Sequence, residues 1–492
     1  MTKLKFVLGI AILLTIVRAG LVFFEQISPQ EAYYAACAAQ PAAAYFDGPA
    51  GTAITMGQLE RWDGLAGRLS MPIWALAATL ACFYMVRRLT GEVAASGAAL
   101  VLNALPVFNA WSLRIGPELP ALTFGLLALY AGWRGFESER SALFWWLLCG
   151  LLIGAASNFI YATVAIAPVL AVFLWYSRKH RNPVGIVCGI TVLVVPALLL
   201  FPALRWNAQQ DWIPIAGGTL QTAWQFNAAR AGSALLDAIY LLSPIVAIGL
   251  VLIWWISARG TRTHLRTRFV FICALPGMLL GFYAIYRGDN PAFFFLLATP
   301  LLLARAGELL TLLPLGRLWA TIAVVLAVIL SLPVVHHVFG EGRLWSAAST
   351  QVRQTFVQGL ESGQDNLFLI AEDAPMASIL GYYLKDDLIP PPGHPTVYVQ
   401  ASQDISSQFS LWPSYDDFIE SDHHTDEFFT EQKGENPFVG RDALYVTREP
   451  LTDLPQAIRG AFESVTLAGE MPDAGEERLY IYRCLNYQTL PL

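Results

Sequence analysis

About eleven apolar runs of bilayer-crossing length follow one another through the first 339 residues, and this succession constrains the chain more than any other feature. A helix needs about 20 apolar residues to cross a hydrocarbon core, somewhat fewer when tightly bundled. The runs lie near 5–24, 70–87, 92–111, 119–134, 142–158, 160–177, 183–203, 233–257, 267–286, 291–308 and 316–339. The stretch 142–177 is nearly continuous and divides at its polar step, Ser157-Asn158. Only 14% of residues are charged against 55% hydrophobic, which excludes disorder and an ordinary water-soluble fold of 492 residues. The expected fold is mainly α, a polytopic membrane bundle of about 11 spans. The first run follows Lys3 and Lys5, exceeds a signal-peptide core and lacks a small-residue cleavage pattern, so it is expected to stay as an anchor.

Charge divides the chain. Residues 340–492 hold 24 acids and 9 bases, net −15, whereas residues 1–339 hold 13 acids and 22 bases, net +9. Two domains are expected: a transmembrane domain over 1–339 with long outer loops at 25–69 and 204–232, and a soluble α/β domain over 340–492. Within the latter, NLFLIAED, TVYVQ, DALYVTRE and RLYIYRCL read as strands, and about 150 residues suffice for a core. Alternate loops of the first domain carry 15 Lys and Arg against 6 in the opposite set. Short cytoplasmic loops retain bases, so the N-terminus is expected inside and the acidic domain in the periplasm of a bacterial inner membrane. Its net charge should repel anionic headgroups and keep it in the aqueous space.

Chemistry-bearing side chains gather in the outer loops. The first holds Glu31 and Tyr34 in SPQEAYYAACAAQ, Asp47 in YFDGPAG, and Glu60, Arg61, Asp63 and Arg68 in LERWDGLAGRL. LRIGPELPAL contributes Arg114 and Glu118, ALRWNAQQDWIPI contributes Arg205 and Asn207, and YRGDNPAFFF contributes Arg287 beside Asp289. Carboxylates and guanidinium groups at a membrane surface suit a phosphorylated lipid: an Arg fork binds phosphate and a carboxylate takes a proton. The same residues would equally cap helices and pair with one another, Arg287 with Asp289 above all. Arg18 lies within the first span, close enough to its outer end to snorkel.

Several classes are disfavoured. Six scattered cysteines and seven histidines show no metal-ligand spacing, and neither a Gly-rich phosphate loop nor a nucleophile elbow is found. No cofactor is assigned. The tail's acidity excludes a nucleic-acid face there, and a transporter is disfavoured because polar residues collect at span ends rather than within spans.

In this order along nearly the whole chain, the motifs resemble those of the GT-C polytopic glycosyltransferases, the bacterial relatives of protein O-mannosyltransferase and lipid A aminoarabinose transferase. SPQEAYYAACAAQPAAAYFDGPAG resembles the family's Asp-Glu-Ala-Tyr-Tyr and Tyr-Phe-Asp-His-Pro-Pro segments. LAGRLSMP, RIGPELPALTFGLLALY and FPALRWNAQQDWIPI are similar to its later motifs, and SSQFSLWPSY, GRDALYVTRE and YIYRCLNY to its external domain. The resemblance implies transfer of a sugar from a polyprenyl phosphate to a cell-envelope acceptor such as lipid A, a glycan or a protein. It implies an acid as general base, with Glu31, Glu118 and Asp47 as candidates. Arg68, Arg114, Tyr34, Asn207, Arg205 and Arg287 become candidates for substrate binding. A divalent metal ion is the one cofactor it leaves open. Gln30 stands where the family has the Asp of its Asp-Glu pair, Gly48-Pro49-Ala50 replaces His-Pro-Pro, and Asn158 and Gln210 replace a Lys and a His. On a helix, Glu31 points about 100° from Gln30. These replacements carry an alternative: a diverged relative that binds a lipid-linked sugar or serves assembly without chemistry.

Overall fold

The computed structural model describes residues 3–59, 65–176, 183–215, 226–261, 264–310, 316–361, 367–402, 404–417, 436–471 and 478–489. Glu60, Arg61 and Asp63 lie outside the described residues. The chain forms two compact units, residues 1–24 with 42–338 and residues 25–41 with 339–492. Thus 25–41, read above as part of a loop of the transmembrane domain, clusters with the tail.

From the N-terminus, α1 (Lys3–Val22) precedes α2 (Pro29–Ala39), which belongs to the second unit. The first unit resumes with a hairpin of β1 (Ala44–Tyr45) and β2 (Gly48–Pro49), then α3 (Gly51–Leu59), α4 (Leu65–Leu89), α5 (Glu92–Ala104), α6 (Pro106–Trp111) and α7 (Glu118–Glu137). There follow α8 (Ala142–Ser157), α9 (Ile166–Tyr176), α10 (Pro183–Gln209), α11 (Ala228–Leu241), α12 (Pro244–Gly260), α13 (Leu265–Arg287), α14 (Ala292–Leu310) and α15 (Gly316–Glu361). The first unit is a membrane-embedded helical bundle, and each apolar run falls on helix. Among the described residues six helices are long and apolar enough to cross a membrane, seven if α11 and α12 count as one bent span. Three shorter apolar helices accompany them, at Glu92–Ala104, Ala142–Ser157 and Tyr161–Tyr176.

Two runs that look continuous in sequence are broken. Pro106 lacks an N–H and drives Leu105 into an extended conformation, which ends α5 and restarts the chain as α6. Between α11 and α12 the axis turns by 102° at Leu242-Ser243, where Ser243 adopts φ 66° and Pro244 opens the next helix. Elsewhere glycines set the helix spacing. Gly150 and Gly154 on α8 meet Val195 and Leu199 of α10, and Gly277 and Gly281 on α13 meet Phe294, Phe295 and Ala298 of α14. Both pairs have the G-x-x-x-G spacing that lets backbones approach in lipid, where apolar burial alone does not drive association.

Arg18 does not snorkel. It is 4% exposed, donating to Asn103 Oδ1 at 2.9 Å and Asn109 Oδ1 at 2.7 Å, with its guanidinium over the Phe108 ring. Asn103 in turn donates to Thr79 Oγ1, and Asn109 to Ser331 Oγ. One cation thereby ties α1, α4, α5, α6 and α15 around the Pro106 break. Arg18→Leu leaves the buried Asn103 amide oxygen and the half-buried Asn109 one without this donor, the buried one costing about 1–3 kcal/mol. Thermal unfolding in detergent is expected at a clearly lower midpoint, and an unchanged midpoint would count against the network.

The second unit builds a five-stranded sheet from β3 (Phe368–Ala371), β4 (Tyr398–Val399), β5 (Ala443–Thr447), β6 (Phe462–Met471) and β7 (Leu479–Tyr487), with α16 (Ala374–Tyr383) and the short α17 (Gln456–Arg459). Strand order is β4-β3-β5-β7-β6, with β3 parallel to β4 and β5, and β7 antiparallel to β5 and β6. β3 and β5 are buried along their whole length, as strands covered on both faces must be. The sequence did not announce β6, an edge strand with a bulge between Leu467 and Gly469 and a largely exposed middle.

Candidate functional site

Four segments of the first unit meet around a small cleft. Thr52 and Met56 come from α3, Gly67 and Trp74 from α4, Gly116 from the turn before α7, and Phe159 follows α8. These segments are pinned by backbone contact. Gly51 N–H donates to the Asn158 carbonyl at 2.9 Å, and a Cβ on Gly51 would overlap that carbonyl. A Cβ on Gly67 would lie 2.9 Å from Ile115 Cδ1 and 3.1 Å from Met56 Sδ. An aromatic relay backs the cleft: Trp74 meets Phe124 edge-on at 5.3 Å, and Phe124 stacks on Phe159 at 6.1 Å. The Thr52 hydroxyl is buried with no hydrogen-bond partner among the described residues.

Glu118 borders this cleft. It is the first residue of α7, just ahead of the apolar stretch 119–134, and its Oε2 rests against Gly116, where any larger residue would place a side chain. The helix N-terminus favours a carboxylate here. Glu118 is half-buried, and desolvation of its carboxyl outweighs that preference and pushes the acid from its ordinary 4.5 up to about 7, opposed by a hydrogen bond from its own backbone. A carboxyl group with its proton affinity raised in this way is suited to accept a proton.

The remaining candidates are placed differently. Glu31 is fully buried in the second unit and completes a capping box: Ser28 N and Oγ donate to Glu31 Oε2 at 2.9 and 3.1 Å, and Glu31 N donates to Ser28 Oγ at 3.3 Å. Gln30, one position earlier and about 100° round the helix, is exposed. Tyr34 lies on the same helix with its ring 5.8 Å from that of Tyr33. In the first unit, Asp47 is exposed in the turn of the β1–β2 hairpin, Arg68 is buried near the start of α4, and Arg114 is half-buried in the turn ahead of Glu118. Arg205 is exposed on α10. Asn207 is fully buried, donating to Tyr161 Oη at 3.1 Å and the Ala203 carbonyl at 2.8 Å, while its Oδ1 has no partner among the described residues. Arg287 pairs with Asp289 at 3.0 Å.

Glu118, Arg114 and Arg68 thus lie on segments that form the cleft, each next to one of its lining residues in sequence or contact, whereas Glu31 and Tyr34 belong to the second unit. Sequence reasoning missed Thr52, Gly116 and Phe159, because small, hydroxyl and aromatic residues in apolar surroundings give no local signal. Asn158 donates to the Gly154 and Leu199 carbonyls, so its amide works as a helix end. Among the described residues no three His, Cys, Asp or Glu side chains are grouped to hold a metal ion.

Comparison with known proteins gives a consistent pattern. Residues 53–206 match the family model of dolichyl-phosphate-mannose-protein mannosyltransferases. The fold is similar to crystal structures of ArnT from Cupriavidus metallidurans, in the apo state (TM-score 0.59, 13% identity) and bound to undecaprenyl phosphate (0.58, 14%). Each comparison covers 96% of this chain and 97% of that one. The apo oligosaccharyltransferase of Archaeoglobus fulgidus matches with TM-score 0.50 and 12% identity over 77% of this chain and 64% of that one. No curated protein matches in sequence.

Proposed function

We propose that this chain, whose residues 53–206 match the mannosyltransferase family model and whose fold is similar to that of ArnT, transfers a sugar from a polyprenyl phosphate to a cell-envelope acceptor: lipid A, a glycan or a protein. The observation that carries this is the position of Glu118, whose Oε2 rests against Gly116 of the cleft, and desolvation raises the proton affinity of that carboxyl. In the proposed step the Glu118 carboxylate takes the proton of an acceptor hydroxyl as that oxygen attacks the anomeric carbon. The bond from this carbon to the phosphate oxygen breaks, and the lipid phosphate leaves with the electron pair. Arg68 and Arg114 are the proposed guanidinium partners of the departing phosphate. The ArnT structure with undecaprenyl phosphate supports a lipid phosphate as leaving group. The bias of bases toward one set of loops supports a cytoplasmic N-terminus and reaction on the periplasmic face of the inner membrane.

A second reading has its own support. Glu31 is engaged in a helix cap, and Gln30, Gly48, Asn158 and Gln210 stand where relatives carry ionisable side chains or histidine, so a lipid-linked-sugar binding subunit is the alternative. Purified chain in nanodiscs, given sugar-loaded polyprenyl phosphate and envelope extract, is expected to release polyprenyl phosphate in step with acceptor modification. Saturable binding of the donor without release would overturn the transferase and support the binding subunit.

A further inference from the structure

We propose that the first-loop helix α2 is a structural part of the tail domain, so that its order and position are set by the tail. The chain passes between units at 24/25, 41/42 and 338/339, leaving 25–41 as an insert carried by the second unit. Ile27 and Ala32 are buried in the same apolar cluster as Val352 and Phe356 of α15, Met376, Ile379 and Leu380 of α16, and Leu444 and Ile481 of the sheet, with Tyr33 packed against it. Ala35 and Cys37 are also buried, and Glu31 is inaccessible while it caps the helix. A helix of 11 residues is marginal by itself in water. Its stability therefore comes from the tail's core and its own cap. The exposed position on this turn is Gln30, where relatives carry an acid.

The tail is then a positioning element, and whatever engages it acts on the Gln30 and Tyr34 helix without an intermediary. The functional half of this inference rests on the proposed transfer, whereas the structural half does not. It is tested by hydrogen exchange on the full chain in nanodiscs. Phe356→Ala, which empties a fully buried site on α15, is expected to speed exchange of α2 (Pro29–Ala39) and α16 amides together, on the order of a hundredfold, with α8 unchanged. Acceleration in α16 with α2 unmoved would overturn the proposal, as would acceleration of α2 by Trp146→Ala in the first unit. Val352→Ala serves as the milder change if Phe356→Ala does not fold. None of these outcomes depends on turnover, so a missing transferase activity would leave the inference standing.

Discussion

Glu118→Gln is expected to slow transfer by about 10²–10⁴-fold, the usual contribution of a positioned general base, with little change in fold. The amide is isosteric, so the contact with Gly116 survives while the proton acceptor is lost. Because the folded-state acid sits near 7, the wild-type rate should climb with pH through an inflection there and then level off, and the residual rate of the variant should lack it. Stability runs the other way. A carboxyl raised on folding stabilises the protein when protonated, fully below the ordinary 4.5 and progressively less as pH rises through 7. Glu118→Gln should flatten that dependence. Glu31→Gln is the contrast: Gln at the third helical position still accepts from Ser28, so the cap and most of the activity should persist. A full rate in Glu118→Gln with loss in Glu31→Gln would move the base to the first-loop helix.

Gly51→Ala is expected to destabilise the bundle by about 1–3 kcal/mol and abolish donor binding. The added methyl would overlap the Asn158 carbonyl and sit 3.2 Å from Phe159 Cδ1, and a backbone carbonyl cannot swing aside as a side chain does. Relief requires α3 to move off the end of α8, which breaks the Gly51 to Asn158 hydrogen bond and carries Thr52 and Met56 out of the cleft. Donor titration with thermal unfolding measures both effects. Unchanged affinity would mean that the cleft takes no part in binding the donor.

Most of the bundle was legible because a bilayer imposes one requirement, apolar length, that each segment meets separately. Breaks were less so. Pro106 and Pro244 were visible as residues, but whether a proline kinks or ends a helix depends on what satisfies the freed carbonyls, and Asn109, which donates to Leu105 and to Asn103, comes from beyond the break. Helical rotation stated that Gln30 and Glu31 point different ways, but not which of the two would be buried. The partner of α2 was not legible either, because Ile27 and Ala32 pack on residues more than 300 positions away and nothing in a local apolar pattern states its target. The cleft was hidden for the same reason, since each of its four segments supplies between one and four unremarkable residues.

The Arg18 network also bears on how the chain is made. The guanidinium leaves the ribosome 85 residues ahead of Asn103, and Ser331 trails Asn109 by another 222. At about 5–20 residues per second, the first segment spends several seconds in the translocon or the lipid with an unmatched cation. During that interval its side chain must reach for water at the membrane surface. The side chain is expected to turn inward only after the fifth helix arrives, a late step that a chain with an apolar residue at that position would not need.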